Sequence, residues 1–221
     1  MNGPEHRKFS VVIPTMWKSI VTVELLRLYD KCEFVDEIIV IDNNKSNKPD
    51  KLSDIQKLTL IESCENLYVN PSWNIGVYQA RNELIAISND DILFEPDDMF
   101  SFVSKLDSFG AIGMSHFNFG NAASEIYLEN GNDIGLGWGC LIFVRKSNWV
   151  QIPENIKVWF GDNWIARTCE MRGLSVMKLK SNRLIETSMS TTSGCESFNE
   201  VINNDILEWG ILDSKIKEAI V

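Results

Sequence analysis

Three apolar, β-branched runs, each followed at once by polar residues, most constrain what this 221-residue chain can fold into. The runs are Ser10–Thr15, Glu37–Ile41 and Leu84–Ser88, and their ends carry Pro14-Thr15, Asp42-Asn43-Asn44 and Asn89-Asp90-Asp91. β-Branched residues favour strands, whereas Pro, Asp and Asn favour strand ends and turns. The pattern therefore predicts three buried strands with oxygen-bearing groups at their ends.

Helical spacing between these runs predicts the rest of the first half. Apolar positions in 19–31 recur at mostly helical intervals. A short third strand is predicted at Leu67–Val69, followed by a turn around Asn74 and Gly76 and a helix from about Gly76. Strands alternating with helices predict an α/β fold, a mixed, mainly parallel sheet with helices on both faces.

The second half predicts further strands at Gly110–Ser115, Cys140–Val144 and Ser175–Leu179. Residues 117–133 are predicted to form a loop, and a helix within 153–172 is expected to end at Gly173. Without a repeat or linker, 1–221 is predicted to be a single domain. Its halves would be about 9–95 and about 110–190, with one or two amphipathic helices in the tail, 197–221.

Polar groups at three successive strand ends predict a binding site. Ligands of parallel sheets lie beyond the carboxyl ends of the strands. Asp and Asn also serve as helix caps and turn residues, which would explain one such end but explains three less well. Adjacent carboxylates at a sheet rim suit a hard divalent cation and the phosphates it carries.

The composition of the chain limits the classes of molecule that it is expected to bind. A net charge of −10 and a pI near 4.7 disfavour non-specific binding to nucleic acid or anionic membranes. Neither an apolar run long enough to span a bilayer nor a signal-peptide core is present, so a cytoplasmic location is expected. Five cysteines without a CxxC pair indicate buried free thiols.

The order of the motifs resembles the GT-A glycosyltransferases, most closely the family 2-like enzymes. The matching segments are Ser-Val-Val-Ile-Pro-Thr at 10–15, Asp-Glu-Ile-Ile-Val-Ile-Asp-Asn at 36–43, Asn-Ile-Gly-x-x-x-Ala-Arg-Asn at 74–82, Asn-Asp-Asp at 89–91 and Trp-Phe-Gly-Asp-Asn at 159–163. The resemblance covers roughly residues 9 to 190 and implies a GT-A (Rossmann-like) fold. It also implies transfer of a sugar from a nucleotide-diphosphate donor, most often UDP-linked, to an acceptor hydroxyl.

The resemblance also implies roles for individual residues. Pro14 and Thr15 would border the nucleotide, and Asp42 would hydrogen-bond its base. Asn74 and Arg81 would line the nucleotide and diphosphate. Asn89 and Asp90 would lie near the ribose and sugar, and Asp91 would meet Mn²⁺ or Mg²⁺ or the diphosphate.

Two positions depart from the family pattern. Asn89 stands where the family's DxD region prefers Asp, which weakens one oxygen ligand; Asp90 compensates for it, or the metal binds less tightly. The segment Leu184–Ser188 lacks the His that many metal-dependent relatives place there. Glu186 is a candidate metal ligand in its stead, and a surface or capping role is its alternative.

Asp162 is the candidate general base of an inverting transfer. A carboxylate must take the acceptor's proton, and the aromatic neighbours Trp159, Phe160 and Trp164 would raise its pKa. The alternative for Asp162 is an N-cap of a helix from about Asn163. Trp138, between two glycines, is a candidate for stacking on a ligand.

The sequence is also compatible with other functions. A non-catalytic nucleotide-sugar-binding module is one alternative, since Asn89 and the missing His weaken the metal site. Another is a viral-type enzyme that glycosylates hydroxymethylated DNA bases, which would need a basic groove. The basic residues available for it are Arg145, Lys146, Lys178, Lys180 and Arg183. The acceptor would otherwise be a glycan or another hydroxyl compound. A sugar nucleotidyltransferase is disfavoured, because Pro14–Lys18 is not a Gly-rich phosphate loop.

Overall fold

The computed structural model describes residues 7–131, 134–188 and 198–220, with side chains to residue 216 in the last range. Eight strands form one sheet in the order β3-β2-β1-β4-β8-β6-β9-β7, and β5 and β10 form a separate antiparallel pair. The strands are β1 Phe9–Thr15, β2 Val35–Asp42, β3 Leu58–Glu62, β4 Leu84–Ser88, β5 Ile92–Leu93, β6 Ala111–Met114, β7 Tyr127–Asn130, β8 Leu141–Arg145, β9 Val176–Lys180 and β10 Glu186–Thr187.

The sheet is mixed and mainly parallel, as predicted. Four of its seven strand pairs run parallel, namely β1–β2, β1–β4, β2–β3 and β6–β9. The antiparallel pairs are β4–β8, β6–β8 and β7–β9. Since β4 pairs with β8, strands from both halves of the chain belong to one sheet.

Helices cover both faces of the sheet. They are α1 Thr22–Lys31, α2 Val69–Gln79, α3 Asp97–Ser104, α4 Gly161–Met171 and α5 Asn199–Ile220. Buried residues of α1 and α3 pack in one cluster, with Leu26 and Phe100 among them. Residues of α2, α4 and α5 pack in the other, with Trp73, Ile165 and Trp209 among them.

Alternation along the central strands explains this double-sided core. In β1, Val11 and Ile13 belong to the α1–α3 cluster, whereas Val12 between them belongs to the α2–α4 cluster. In β2, Ile38 and Ile39 divide in the same way. Successive side chains of a strand point to opposite faces, so a run that is apolar throughout fits a sheet buried on both sides.

The predicted third strand was wrong. Leu67 precedes α2 and Val69 begins it, while the third strand is β3, at the edge of the sheet. Helix α2 begins seven residues before the predicted start at Gly76, with Pro71 in its first turn, where a missing N–H costs no helical hydrogen bond. The side chains of β3 are half-buried or exposed, so its pattern in the sequence is weak.

Two other expectations need correction. The predicted loop 117–133 contains part of a short 3₁₀ helix, His116–Phe119, and the edge strand β7. The four described cysteines are free, but Cys64 is exposed rather than buried, and Cys195 lies outside the described residues. Within the described ranges, no helix combines the length and apolar character that crossing a bilayer requires.

Candidate active site

A cleft of about 580 Å³ lies at the carboxyl ends of β1, β2 and β4. These three strands are neighbours in the sheet, so the three polar strand ends meet at one edge. The residues that line the cleft are Pro14, Thr15, Met16, Asn43, Asn66, Tyr68, Val69, Asn89, Asp90, Asp91, Val158 and Phe198.

Asp90 is tied to the end of β1. The Thr15 hydroxyl donates a hydrogen bond of 2.5 Å to Asp90 Oδ2, and the same Thr15 oxygen accepts one from the Trp17 N–H. Only 7% of Asp90 is exposed, and burial raises its pKa to about 6; the hydrogen bond from Thr15 opposes the rise and the charge of Asp91 adds to it. Asp90 therefore shapes the floor of the cleft.

Asp91 and Asn89 flank Asp90 and are half-buried at the cleft. The Asn89 N–H donates to the Cys140 carbonyl at 2.9 Å, which joins this turn to the segment before β8. The Asp91 carbonyl accepts a hydrogen bond from the Ser188 N–H at 2.9 Å. Backbone contacts on both sides thus fix the turn that carries the Asp91 carboxylate.

The end of β2 contributes one lining residue and one buried carboxylate. Asn43 lines the cleft and is held by hydrogen bonds with Ser72 and the Leu67 N–H. Asp42 is fully buried beside it, and its Oδ1 accepts from the Asn44 N–H at 2.9 Å. Asp42 Oδ2 has no hydrogen-bond partner among the described residues, which leaves its acceptor capacity unused.

Backbone strain is concentrated around the site. The non-glycine residues with positive φ among the described residues are Trp17 (57°), Tyr68 (66°) and Phe160 (63°). Tyr68 lines the cleft, Trp17 follows the lining residue Met16, and Phe160 precedes α4, which carries Asp162. Such conformations cost about 1–3 kcal/mol each and concentrate at functional sites.

Asp162 lies in the first turn of α4, close to the cleft but not in its wall. Phe160 holds the N-cap position predicted for Asp162, although Asp162 Oδ1 does accept from the Asn163 N–H at 2.9 Å. A Cβ added to Gly139 would lie 2.8 Å from Asp162 Oδ2, so the carboxylate packs directly on this glycine. Burial raises the pKa of Asp162, and its hydrogen bond to the backbone opposes the rise.

Cys140 connects Asp162 with the cleft electrostatically. Burial raises the pKa of the Cys140 thiol to about 12, and the charges of Asp91 and Asp162 both add to the rise. Both carboxylates therefore lie near enough to this cysteine to act on its thiol. Trp138, by contrast, is fully buried against Gly113 and donates to the Met177 carbonyl, so it is a core residue and not a stacking surface.

Asn74 and Arg81 lie away from the cleft. Asn74 hydrogen-bonds both the N–H and the carbonyl of Ile152 at 2.9 Å, a pairing that ties α2 to the loop after β8. Arg81 bonds the side chain and carbonyl of Asp36, near the start of β2 and thus at the opposite edge of the sheet. Neither residue lines the cleft.

Glu186 is also separated from Asp91. It pairs with Leu93 in the β5–β10 ribbon, is exposed, and borders a different cavity with Glu24 and Arg183. Among the described residues, no group of three His, Cys, Asp or Glu side chains is arranged to hold a metal ion. Ser188, whose N–H meets the Asp91 carbonyl, lies nearer than Glu186 to the predicted metal position.

The cleft nevertheless suits a cation that is coordinated mainly by water and phosphate oxygens. Asp90 and Asp91 are acidic, and no Lys or Arg is among the described residues that line it. The two carboxylates would repel a diphosphate, so a cation between them would favour its binding; the Lys18 ammonium also lies 5.9 Å from the ring centroid of the lining residue Phe198. Mg²⁺ and similar ions often take one or two carboxylates and complete their shell with water and phosphate.

The basic groove needed for a DNA acceptor is not assembled among the described residues. Arg145 ends β8 opposite the start of β4, and Lys146 follows it, at the opposite edge of the sheet from Asn89–Asp91. Lys180 pairs with Glu129 at 2.8 Å, and Arg183 pairs with Asp98 at 2.7 Å. These cations are dispersed, and acidic partners compensate two of them.

Asn66, Tyr68, Val158 and Phe198 were not predicted as site residues. Asn66 Oδ1 accepts from the Tyr68 N–H at 2.9 Å and so shapes the turn into α2. Phe198 packs edge-on against Tyr68 from the segment before α5. Asn is a turn-favouring residue type, which is a weak signal for Asn66 in the sequence, but the other contacts come from distant parts of the chain.

Solved structures with similar folds are glycosyltransferases. GalNAc-T7 with UDP, GalNAc and Mn²⁺ has a TM-score of 0.66 at 12% identity and covers 92% of this chain and 48% of its own. The mannosyltransferase PcManGT from Pyrobaculum calidifontis, with GDP-Man and Mn²⁺, has a TM-score of 0.59 at 16% identity, with coverages of 79% and 55%. S. aureus TarS 1-349 with UDP has a TM-score of 0.56 at 21% identity, with coverages of 91% and 65%.

These similarities establish the GT-A fold predicted from the motifs. The chain spans between 48 and 65% of the lengths of these three structures. No curated protein sequence matches it. The model of glycosyl transferase family 2 matches residues 10–167, which include every part of the cleft except Phe198. The chain therefore belongs to glycosyl transferase family 2, a family of enzymes.

Proposed function

We propose that the chain transfers a sugar from a UDP-sugar to an acceptor hydroxyl with inversion, using a divalent cation at Asp91 and Asp162 as the base. One observation carries the proposal. The cleft at the carboxyl ends of β1, β2 and β4 contains adjacent carboxylates and no Lys or Arg among its described lining residues. This arrangement suits a diphosphate that arrives with a cation.

UDP as the nucleotide is supported by the chemistry next to the cleft. A uracil ring offers an N–H donor, and the unpartnered Oδ2 of buried Asp42 lies beside the lining residue Asn43. Two of the three similar structures contain UDP and one contains GDP-mannose.

Asp91 would hold Mn²⁺ or Mg²⁺, with Asn89 and Asp90 beside it. When bound, the cation neutralises charge on the leaving nucleotide diphosphate. Thr15 keeps Asp90 turned into the floor of the cleft. Asn89 can donate or accept a hydrogen bond with the ribose or sugar, a role that does not need the charge of an Asp.

Asp162 would accept the proton of the acceptor hydroxyl. The acceptor oxygen forms a bond to the anomeric carbon, and the bond from that carbon to the phosphate oxygen breaks on the opposite side. The electron pair leaves with the nucleoside diphosphate. The partly buried position of Asp162 beside Gly139 supports the role, since burial raises its pKa and makes its ionised form a better base.

A screen of nucleotide sugars, each with and without Mn²⁺, tests the proposal through release of the nucleoside diphosphate. We expect a UDP-sugar to be turned over with Mn²⁺. Asp91→Ala should lower that turnover by at least about 100-fold, since it removes a group that stabilises the charged leaving group.

Asp107→Ala is the matched control, because this exposed carboxylate pairs with Arg7 away from the cleft. It should keep wild-type turnover. Near-wild-type turnover in Asp91→Ala would contradict the proposal. Binding of UDP-sugar without any hydrolysis or transfer would favour the non-catalytic binding module instead.

A further inference from the structure

Helix α5 reaches the loop that leads to Asp162 through one buried carboxylate. Asp205 is fully buried, and its oxygens accept hydrogen bonds from three consecutive backbone N–H groups. These are the N–H groups of Lys157, Val158 and Trp159, at 2.8, 2.7 and 2.9 Å. The family match ends at residue 167, so membership of the family assigns nothing to α5.

Asn70 of α2 holds the same loop from its other side. Its N–H donates to the Lys157 carbonyl at 2.9 Å, and its side-chain amide donates to the carbonyls of Ile156 and Trp159. The N–H groups of residues 157–159 thus bond to α5, while carbonyls of the same segment bond to α2. These hydrogen bonds hold the loop between the two helices.

The fixed loop ends at a strained residue directly before the proposed base. Phe160 has a φ of 63°, and α4 begins at Gly161. The Phe160 ring stacks on Trp209, also from α5, with ring centroids 5.5 Å apart and planes 2° from parallel. A phenylalanine keeps a left-handed backbone conformation only where its surroundings enforce it. Helix α5 contributes to this in two ways, through the Trp209 ring that stacks on Phe160 and through the Asp205 carboxylate that binds the preceding backbone.

We propose that Asp205 is a positioning residue for the general base. By accepting the three N–H groups, its carboxylate holds the 157–159 backbone so that the Phe160 turn directs Asp162 of α4 towards the cleft. The inference rests on the proposed function, because it assigns Asp205 a part in the proton transfer made by Asp162. Asp205 itself touches neither donor nor acceptor.

Asp205→Asn tests this role with a nearly unchanged side-chain shape. The amide has one oxygen and an NH₂ group, so at least one backbone N–H would face a donor and lose its partner. We expect the turnover number with the UDP-sugar to fall at least about tenfold, since small misplacements of a catalytic group cost that much or more. The affinity for UDP with Mn²⁺, measured by calorimetry, should change less than about threefold, because most of the cleft is built from other segments.

Glu208→Gln is the matched control on the same helix. Glu208 accepts a hydrogen bond from the Asn155 side chain rather than from the loop backbone. This variant removes one negative charge from α5 and should leave both turnover and UDP affinity unchanged. A tenfold loss in Glu208→Gln would assign the effect to helix charge and overturn the role of Asp205.

A double mutant separates positioning from general structural support. If Asp205 acts through Asp162, Asp205→Asn should cause little further loss, less than about threefold, once Asp162 is already Asn. The same loss in both backgrounds, or wild-type turnover in Asp205→Asn, would overturn the proposal. If circular dichroism shows that Asp205→Asn does not fold, Trp209→Leu replaces it in the same double-mutant comparison with Asp162→Asn. Trp209→Leu removes the ring that stacks on Phe160.

The outcomes also separate this inference from the proposed function. If Asp162→Asn is inactive while Asp205→Asn is fully active, only the positioning role fails. If Asp162→Asn keeps wild-type turnover, or no nucleotide sugar is consumed, the proposed function fails and the inference fails with it.

Discussion

Asp162 is a partly buried carboxyl group whose pKa lies above its ordinary value, and this has a measurable consequence at the scale of one residue. A base must be ionised to accept a proton, so activity falls as the pH drops through its pKa. Because burial raises that pKa, we expect the acid limb of the turnover number to lie above the ordinary aspartate value of about 4. Initial rates between pH 4 and 8 measure it.

Asp90 requires a control in the same experiment, since its pKa is about 6 and it lies in the cleft. Asp162→Glu changes the base and should move the acid limb. Asp90→Asn removes the other titrating group and should leave the limb in place, whatever it does to the maximal rate. A limb that disappears in Asp90→Asn would assign the titration to Asp90 and contradict the role of Asp162.

Site residues could be predicted from the sequence where they are adjacent in the chain. Asn89, Asp90 and Asp91 follow one strand and line the cleft as a unit. Arg81 and Glu186 were matched to positions of a motif, but nearby partners determine where they point: Asp36 binds Arg81, and the β5–β10 pairing fixes Glu186. Asp205 gave no signal, because a lone Asp in an amphipathic tail does not reveal the loop that it binds.

At the scale of elements, α2 approaches β1 so closely that a glycine is required between them. A Cβ added to Gly76 would lie 2.2 Å from Val12 Cγ1, well inside contact distance. We expect Gly76→Ala to lower the free energy of unfolding by about 1–3 kcal/mol, since overpacking a core forces side chains and backbone to shift. Urea denaturation followed by circular dichroism measures the change.

Gly210 in α5 is the opposite case and the control for helix propensity. It is exposed in the helix, and a Cβ there would meet nothing within 4 Å. Gly210→Ala should therefore raise the free energy of unfolding by about 0.5–1 kcal/mol. Val12→Ala should also cost less in the Gly76→Ala background than alone; equal costs would mean that the Val12 contact is not the cause.

Elements buried on both faces were predicted more accurately than edge elements. Strand β4 matches its predicted bounds. Strand β1 begins one residue before its predicted start, and β2 begins two residues earlier and ends one residue later than predicted. Such runs are apolar throughout because helices cover both sides of the sheet. Strand β3 and the start of α2 were missed, since a half-exposed edge strand and a helix entered through Asn and Pro carry weaker patterns.

At the scale of the whole molecule, the GT-A fold followed from the order of motifs, whereas the assembly of the site depended on contacts between distant segments. Three strand ends, the entry to α2, the loop before α4 and Phe198 all meet at the cleft. These contacts join residues up to 184 positions apart in the chain, from Pro14 to Phe198. A local pattern predicts the strand ends but not the residues that close the cleft over them.

The acidic cleft also makes a prediction about the stability of the whole fold. With two carboxylates and no Lys or Arg among its described lining residues, it should bind UDP weakly without a cation and strongly with one. Ligands that bind the native state raise its stability by RT ln(1 + [L]/Kd). We therefore expect UDP and Mn²⁺ together to raise the melting temperature by more than the sum of their separate effects.

Two single substitutions determine which carboxylate carries this coupling. Asp91→Asn should abolish the extra rise in melting temperature, because it removes the carboxylate that faces the cleft next to the expected diphosphate. Glu186→Gln should retain it, since Glu186 is exposed on the β5–β10 ribbon and borders another cavity. Loss of the coupling in Glu186→Gln would indicate that Glu186 is a ligand of the cation. An equal rise with UDP in excess EDTA would mean that the diphosphate is held without a cation, through groups other than Asp91.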